Sequence, residues 1–294
     1  LVQVRVGTAG LDEFRHWLEG ERALILPMAW EPAADAGHFL LGLFKKRPER
    51  KREAMRFIYE MEVMIRGHGG KVCVRSDKPD LWDVMDGRDH LVEPNHLNPA
   101  IFDCDTILVA GFKDLEEVHS WWASDEVFEL MKNRSVLMEK MSLHTIDGLV
   151  ESFEGTKKRA TLGDKLLLLE IVQMESFKPM QRYVDVYKSK AIKAPKEIGT
   201  LCNLLFAEGI SGVLINEFPV QVACASCWRT RSDLLSWYEA PGYQKELVPL
   251  RYSSARCLTV VVPMWEEKKE TFEVKRRRGS IAAGMKLRNL NFSA

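Results

Sequence analysis

The chain has 294 residues, 46% hydrophobic and 29% charged, with 42 basic side chains balanced by 42 acidic ones. That length suffices for two domains of roughly 150 residues, each with its own core. Zero formal net charge excludes a surface-wide field for nucleic acid or anionic membrane, and no apolar run reaches the ~18 residues of a membrane-spanning helix.

In chain order, Val2–Val6 reads as an extra strand, and Ala23–Trp30 as the first strand of a domain. Asp35–Lys46 and Glu49–Arg66 read as helices separated by Pro48, which breaks or kinks them. In the second, Ala54, Phe57, Ile58, Met61, Met64 and Ile65 form one apolar stripe at three- and four-residue spacing. Gly67-His68-Gly69-Gly70 is a helix stop and turn. Strands follow at Lys71–Arg75 and Thr106–Phe112, with an acidic insertion at about 76–104 between them. A helix over 115–140, broken near Ser124, leads into a strand at Leu143–Ile146.

A polar linker over 155–164 precedes the second half. There Leu166–Val172 reads as a strand, about 180–208 as a helix interrupted by Pro195, and Gly209-Ile210-Ser211-Gly212 as a turn. Strands at Val213–Asn216 and Val220–Trp228, a helix at Ser232–Ser254 and a strand at Leu258–Val262 complete the unit. Residues 266–294 form a basic C-terminal tail with no sustained periodicity.

The two halves share a pattern. Trp121-Trp122-Ala123-Ser124 runs on to Arg134, and Trp237-Tyr238-Glu239-Ala240-Pro241 runs on to Arg251. Ala23–Gly70 and Lys165–Gly212 have equal length at an offset of 142, whereas Trp121 and Trp237 lie 116 apart. A recurrence of this size predicts related domains. The expected fold is α+β: two ferredoxin-like βαββαβ repeats, packed sheet to sheet as an intramolecular dimeric α/β barrel. The expected boundaries are 1–154 and 165–265.

Gly69-Gly70-Lys71-Val72, Trp121-Trp122-Ala123-Ser124-Asp125-Glu126, Arg134 and Ile146-Asp147-Gly148 resemble the bacterial domain-of-unknown-function 1330 family of dimeric α/β-barrel proteins. That family's pattern is a Gly-Gly turn, a Trp, a small Ser, Pro-Glu-Tyr, an Arg and a closing Gly. The second half matches through Trp237, Ala240, Pro241, Tyr243 and Arg251, without the Gly-Gly turn and closing Gly. The resemblance implies the barrel fold and no particular activity. Its superfamily includes cofactor-free monooxygenases, dehydratases, isomerases, haem enzymes and assembly proteins, so fold does not choose among them.

The candidate ligand or interface residues are Trp121, Trp122, Arg134, Trp237, Tyr243 and Arg251. One aromatic of each pair is expected to seal helix to sheet, and the arginines to form helix-end ion pairs or grip an anion. His90 and His96, in the acidic insertion, have imidazoles that could bind a metal, but their spacing matches no metal motif. Cys224 and Cys227 form a C-x-x-C on a strand, where their side chains face opposite ways. His119 and His144 are read as core or surface histidines. The sequence assigns no catalytic residue, no metal and no cofactor.

Charge is uneven: residues 45–56 hold seven bases against two acids, and 77–105 eight acids against two bases. Arg276-Arg277-Arg278-Gly279-Ser280 makes Ser280 a candidate phosphosite in the tail. Six cysteines fall short of a disulfide scaffold, and the expected location is a reducing intracellular compartment, cytoplasmic or organellar. The leading functional expectation is a non-enzymatic interaction module in a larger assembly, docking through its tail and charged faces onto protein subunits, with no nucleic acid and no membrane span. The alternative is a cofactor-independent small-molecule enzyme or binder, monooxygenase-, isomerase- or dehydratase-like, using a cavity between helices and sheet.

Overall fold

A computed structural model describes residues 36–77, 83–85, 102–148, 166–198, 200–253 and 255–263. It begins with β1 (His38–Lys46), a strand where the sequence reading has a helix over Asp35–Lys46. The run His38-Phe39-Leu40-Leu41-Gly42-Leu43-Phe44 is apolar on both faces because β1 lies between β4 and β5, sandwiched by core on either side. Burial on both sides erases the alternation that identifies a half-exposed strand. The expected strand Ala23–Trp30 and segment Val2–Val6 lie outside the described residues.

Helix α1 (Lys51–Gly67) buries Ala54, Phe57, Ile58, Met61 and Ile65 of the predicted stripe, with Met64 partly buried against them. It stops where Gly69 takes φ 86°, a left-handed conformation costly for other residues. After β2 (Lys71–Ser76) and the short β3 (Asp83–Val84) come β4 (Thr106–Phe112), α2 (Leu115–Trp122), α3 (Asp125–Met131), α4 (Arg134–Leu137) and β5 (Met138–Asp147). The Asp114 carboxylate accepts the Glu117 N–H at 2.9 Å to start α2, and Ser124 starts α3 at the predicted break.

The second half runs β6 (Leu166–Met174), α5 (Phe177–Val186), a π-helical turn (Tyr187–Ala191), α6 (Lys193–Glu197), β7 (Leu201–Asn216), β8 (Val222–Trp228), α7 (Arg231–Tyr238), a second π-helical turn (Tyr243–Leu247), α8 (Val248–Tyr252) and β9 (Ala255–Pro263). Two expectations fail here. The helix drawn to residue 208 ends at Glu197, and Gly209–Gly212 is no turn but the middle of the sixteen-residue β7. The equal-length match at offset 142 was therefore coincidental: β1 and β6 begin 128 residues apart, and β4 and β8 begin 116 apart, as do α2 and α7.

All strand pairs are antiparallel, in the order β2-β4-β1-β5-β7-β8-β6-β9-β3. β7 joins the halves, pairing with β8 through Leu201–Gly209 and with β5 through Ile210–Asn216. At the ends of this order lie β2 and β3, neighbours in the chain. Ser76 and Asp83 are seven residue steps apart, a reach of at most about 25 Å, whereas eight strand spacings laid flat span about 38 Å. The sheet must curl. Asp83 and Val84, within the stretch read as an insertion, pair with Val261 and Val260 of β9.

Curling gives the sheet an inner and an outer face. Phe39, Leu41, Val109, Ile146, Leu169, Ala225 and Val260, from both halves, share the inner core. Helices cover the outer face in two separate clusters, one per half. Among the described residues no helix is long and apolar enough to cross a membrane.

Candidate functional site

Two polar constellations stand out, one closed and one open. The closed one centres on Glu170, the single charge in the apolar run of β6. Leu168, Glu170 and Val172 share the helix-facing side of the strand, so its carboxylate points under α5 and α8. Glu170 Oε1 accepts from Tyr183 Oη at 2.7 Å, Tyr243 Oη at 2.8 Å and the guanidinium of Arg251. Arg251 also donates from Nη1 to Tyr243 Oη at 3.1 Å and from Nη2 to Tyr238 Oη at 3.0 Å. Glu170 and Arg251 are fully buried.

Burial pushes the Glu170 carboxyl up, against the pull of Arg251 and the two phenols. Burial, followed by the Glu170 charge, pushes the Tyr183 and Tyr243 phenols well up, keeping them protonated donors. Trp237 is half-buried beside this cluster, 4.5 Å from the Tyr243 ring and 4.8 Å from Trp228, and its Nε1 donates to the Ala191 carbonyl at 2.7 Å. Trp237, Tyr243 and Arg251 therefore serve a packed core, in which the second Glu170 oxygen, Oε2, has no hydrogen-bond partner among the described residues. Glu170 was not among the sequence candidates; a lone acid in an apolar strand is the signal, because a buried charge needs a partner.

The open constellation lies in the first half. Trp121 is fully buried, 6.2 Å from the Phe112 ring, and seals helix to sheet. Trp122, next along α2, turns outward into a groove of about 510 Å³. Val127, Phe128 and Met131 of α3 and Arg134 at the start of α4 form one wall, and Leu214, Ile215, Asn216 and Glu217 at the end of β7 form the other. β7 reaches here because its last residues extend the first half's sheet beyond β5, pairing Leu143 with Ile215 and Ser142 with Asn216.

Glu217 is fixed at the groove's polar end. Arg134 Nη1 donates to its Oε1 at 2.6 Å, and the Met141 N–H donates to its Oε2 at 2.6 Å. The buried Ser142 hydroxyl accepts the N–H groups of Glu217 and Phe218 at 2.8 and 2.7 Å, holding the turn. The walls are apolar, and Phe128 is 64% exposed. Such a site can bind an apolar molecule and offer one charged fork to its polar end.

Of the sequence candidates, the structure thus brings Trp122 and Arg134 together and sends Trp121, Trp237, Tyr243 and Arg251 into cores. His90, His96 and Ser280 lie outside the described residues. Cys224 and Cys227 are buried in the outer and inner clusters respectively, on opposite faces. His119 is exposed, and His144 is fully buried with neither ring nitrogen hydrogen-bonded among the described residues.

No family model matches the chain, and no curated protein matches it significantly. Solved structures do match. An anthrone oxidase-like protein superimposes with a TM-score of 0.50 at 12% identity, over 79% of this chain and 93% of that one. A proposed monooxygenase from Fusobacterium nucleatum gives 0.48 at 9% identity, over 79% and 95%. A mutant chlorite dismutase from Candidatus Nitrospira defluvii gives 0.44 at 10% identity, over 79% and 92%. At these identities the likeness is one of fold. It corrects the leading expectation of a non-enzymatic assembly module: the chain shares its architecture with an anthrone oxidase-like protein.

Proposed function

We propose that the chain is a small-molecule enzyme or binder, in the manner of cofactor-independent monooxygenases, isomerases and dehydratases, with its site in the groove between α2–α4 and the end of β7. The observation that carries this reading is the convergence of Trp122, Phe128, Met131 and Arg134 on one side with Leu214, Ile215 and Glu217 on the other. These residues come from opposite halves of the chain, yet they form one concave, apolar surface of about 510 Å³, within the ~300–1,000 Å³ of small-molecule sites. Phe128 supports it further, since a large ring left 64% exposed at the mouth of a groove gains little for folding.

The architecture belongs to the same proposal. The two halves are read as ferredoxin-like repeats closing into one intramolecular dimeric α/β barrel, with boundaries at 1–154 and 165–265. Supporting this are the shared element order, the common inner core and the helix caps Asp114 and Thr230, set 116 residues apart. The resemblance to the domain-of-unknown-function 1330 family is retained on the motifs that suggested it, and the left-handed Gly69 supports its Gly-Gly turn.

The test is a thermal-shift screen of apolar small molecules against wild type and Phe128→Ser. Because Phe128 is exposed, its loss should leave the unliganded melting temperature almost unchanged while weakening any groove ligand about tenfold. Ligands that bind both proteins equally would place the site elsewhere. Oxygen uptake and product mass spectrometry with each hit separate an enzyme from a carrier.

A further inference from the structure

Resting on that reading of the groove, we propose that its ligand is a neutral, apolar ring compound bearing a carbonyl oxygen, and that Arg134 is the residue that selects it. The polar end of the groove holds one cation and one anion, already paired at 2.6 Å. Both Glu217 oxygens are engaged, one by Arg134 and the other by the Met141 N–H. Arg134 is used differently. Its guanidinium carries five N–H donors, and among the described residues its hydrogen bonding runs only from Nη1 to Glu217. The side chain is 30% exposed and lines the groove, so its remaining donors face whatever enters. The polar end has donors in surplus, and its complement is an acceptor.

Charge decides which acceptor. A carboxylate would meet the guanidinium but would also lie within a few ångström of the fixed Glu217 carboxylate, and the repulsion would offset much of the attraction. It would further lose hydration against Trp122, Met131, Leu214 and Ile215. A neutral carbonyl takes a charge-assisted hydrogen bond from Arg134 without either penalty. The walls complete the match, with Trp122 and Phe128 supplying ring faces and Met131 an adaptable, polarisable contact. Arg134 is thereby assigned as a specificity-determining residue, with Glu217 as the residue that positions it and rejects anions.

Three probes of one shape test this by isothermal titration calorimetry: 2-acetylnaphthalene, 2-naphthoate and 2-ethylnaphthalene. Wild type should bind the ketone about tenfold more tightly than the ethyl compound, with the carboxylate weaker than the ketone. Arg134→Met should erase the preference for the ketone over the ethyl compound. Glu217→Gln, which keeps the amide oxygen for Arg134, should bring the carboxylate level with the ketone or past it. Equal binding of all three probes by wild type, or the carboxylate binding tightest, would overturn the carbonyl assignment while leaving the groove reading intact if Phe128→Ser still weakens all three. Binding of none of them, or binding indifferent to Phe128→Ser, would overturn the groove reading and this inference with it.

Discussion

His144 shows how a single buried side chain can set the acid limit of the molecule. It pairs across the sheet with Leu41, on the inner face, and burial alone holds its imidazole down to about 4 from 6.5. The folded-state value lies below the unfolded one, so the neutral ring's contribution is fully present above about pH 6.5 and is lost as pH falls toward 4. The loss should approach about 3 kcal/mol. Urea unfolding at pH 7 and pH 4.5 should show this difference shrinking in His144→Leu; an unchanged pH dependence would contradict it. Arg251→Ala should cost about 3–5 kcal/mol by leaving the buried Glu170 without its counter-ion. Adding Glu170→Gln to that variant should recover on the order of 1–3 kcal/mol, measurable in a double-mutant cycle. Trp122 and Arg134 were legible in the sequence through their place in the recurring pattern. Glu217 was not, because it stands 83 residues from Arg134 and only the reach of β7 unites them.

At the level of elements, periodicity, capping and the length of an apolar run decide what the sequence shows. The stripe of α1 and the break at Ser124 follow from periodicity and capping, and β4, β6 and β8, dry on both faces, from apolar runs of strand length. β1 is equally dry, but its Leu-rich run, taken from Asp35 to Lys46, reaches helix length and suits either a strand or a helix. β7 failed for another reason. Gly209 and Gly212 suggest a turn, but glycine within a strand can also mark a close approach. A Cβ on Gly212 would meet Thr145 Oγ1 at 2.4 Å, at the bulged seam with β5, whereas one on Gly209 would meet only the Gln221 carbonyl at 3.8 Å. Gly212→Val should therefore destabilise the protein by about 1–3 kcal/mol and Gly209→Val hardly at all. Thermal melts of the two variants decide it, and equal melting temperatures would contradict the seam.

Over the whole molecule, the curled sheet makes one structure of two halves, and the helix layers over its outer face differ between them. In the second half, Glu170, Arg251 and the surrounding tyrosines fill the space under the helices with a buried, hydrogen-bonded cluster. In the first, α3 and α4 stand off the end of β7 and leave the groove. The general α+β class and much of the strand order were legible from alternating apolar and glycine-marked segments. The groove was not, because its second wall belongs to the other half of the chain. The most direct test of the groove as the functional site is photolabelling of the full chain with benzophenone, itself a neutral, apolar ketone, followed by peptide mapping. The account predicts adducts on Met131 and on the 214–216 segment, suppressed in Phe128→Ser. Labelling concentrated elsewhere, or undiminished in that variant, would contradict it.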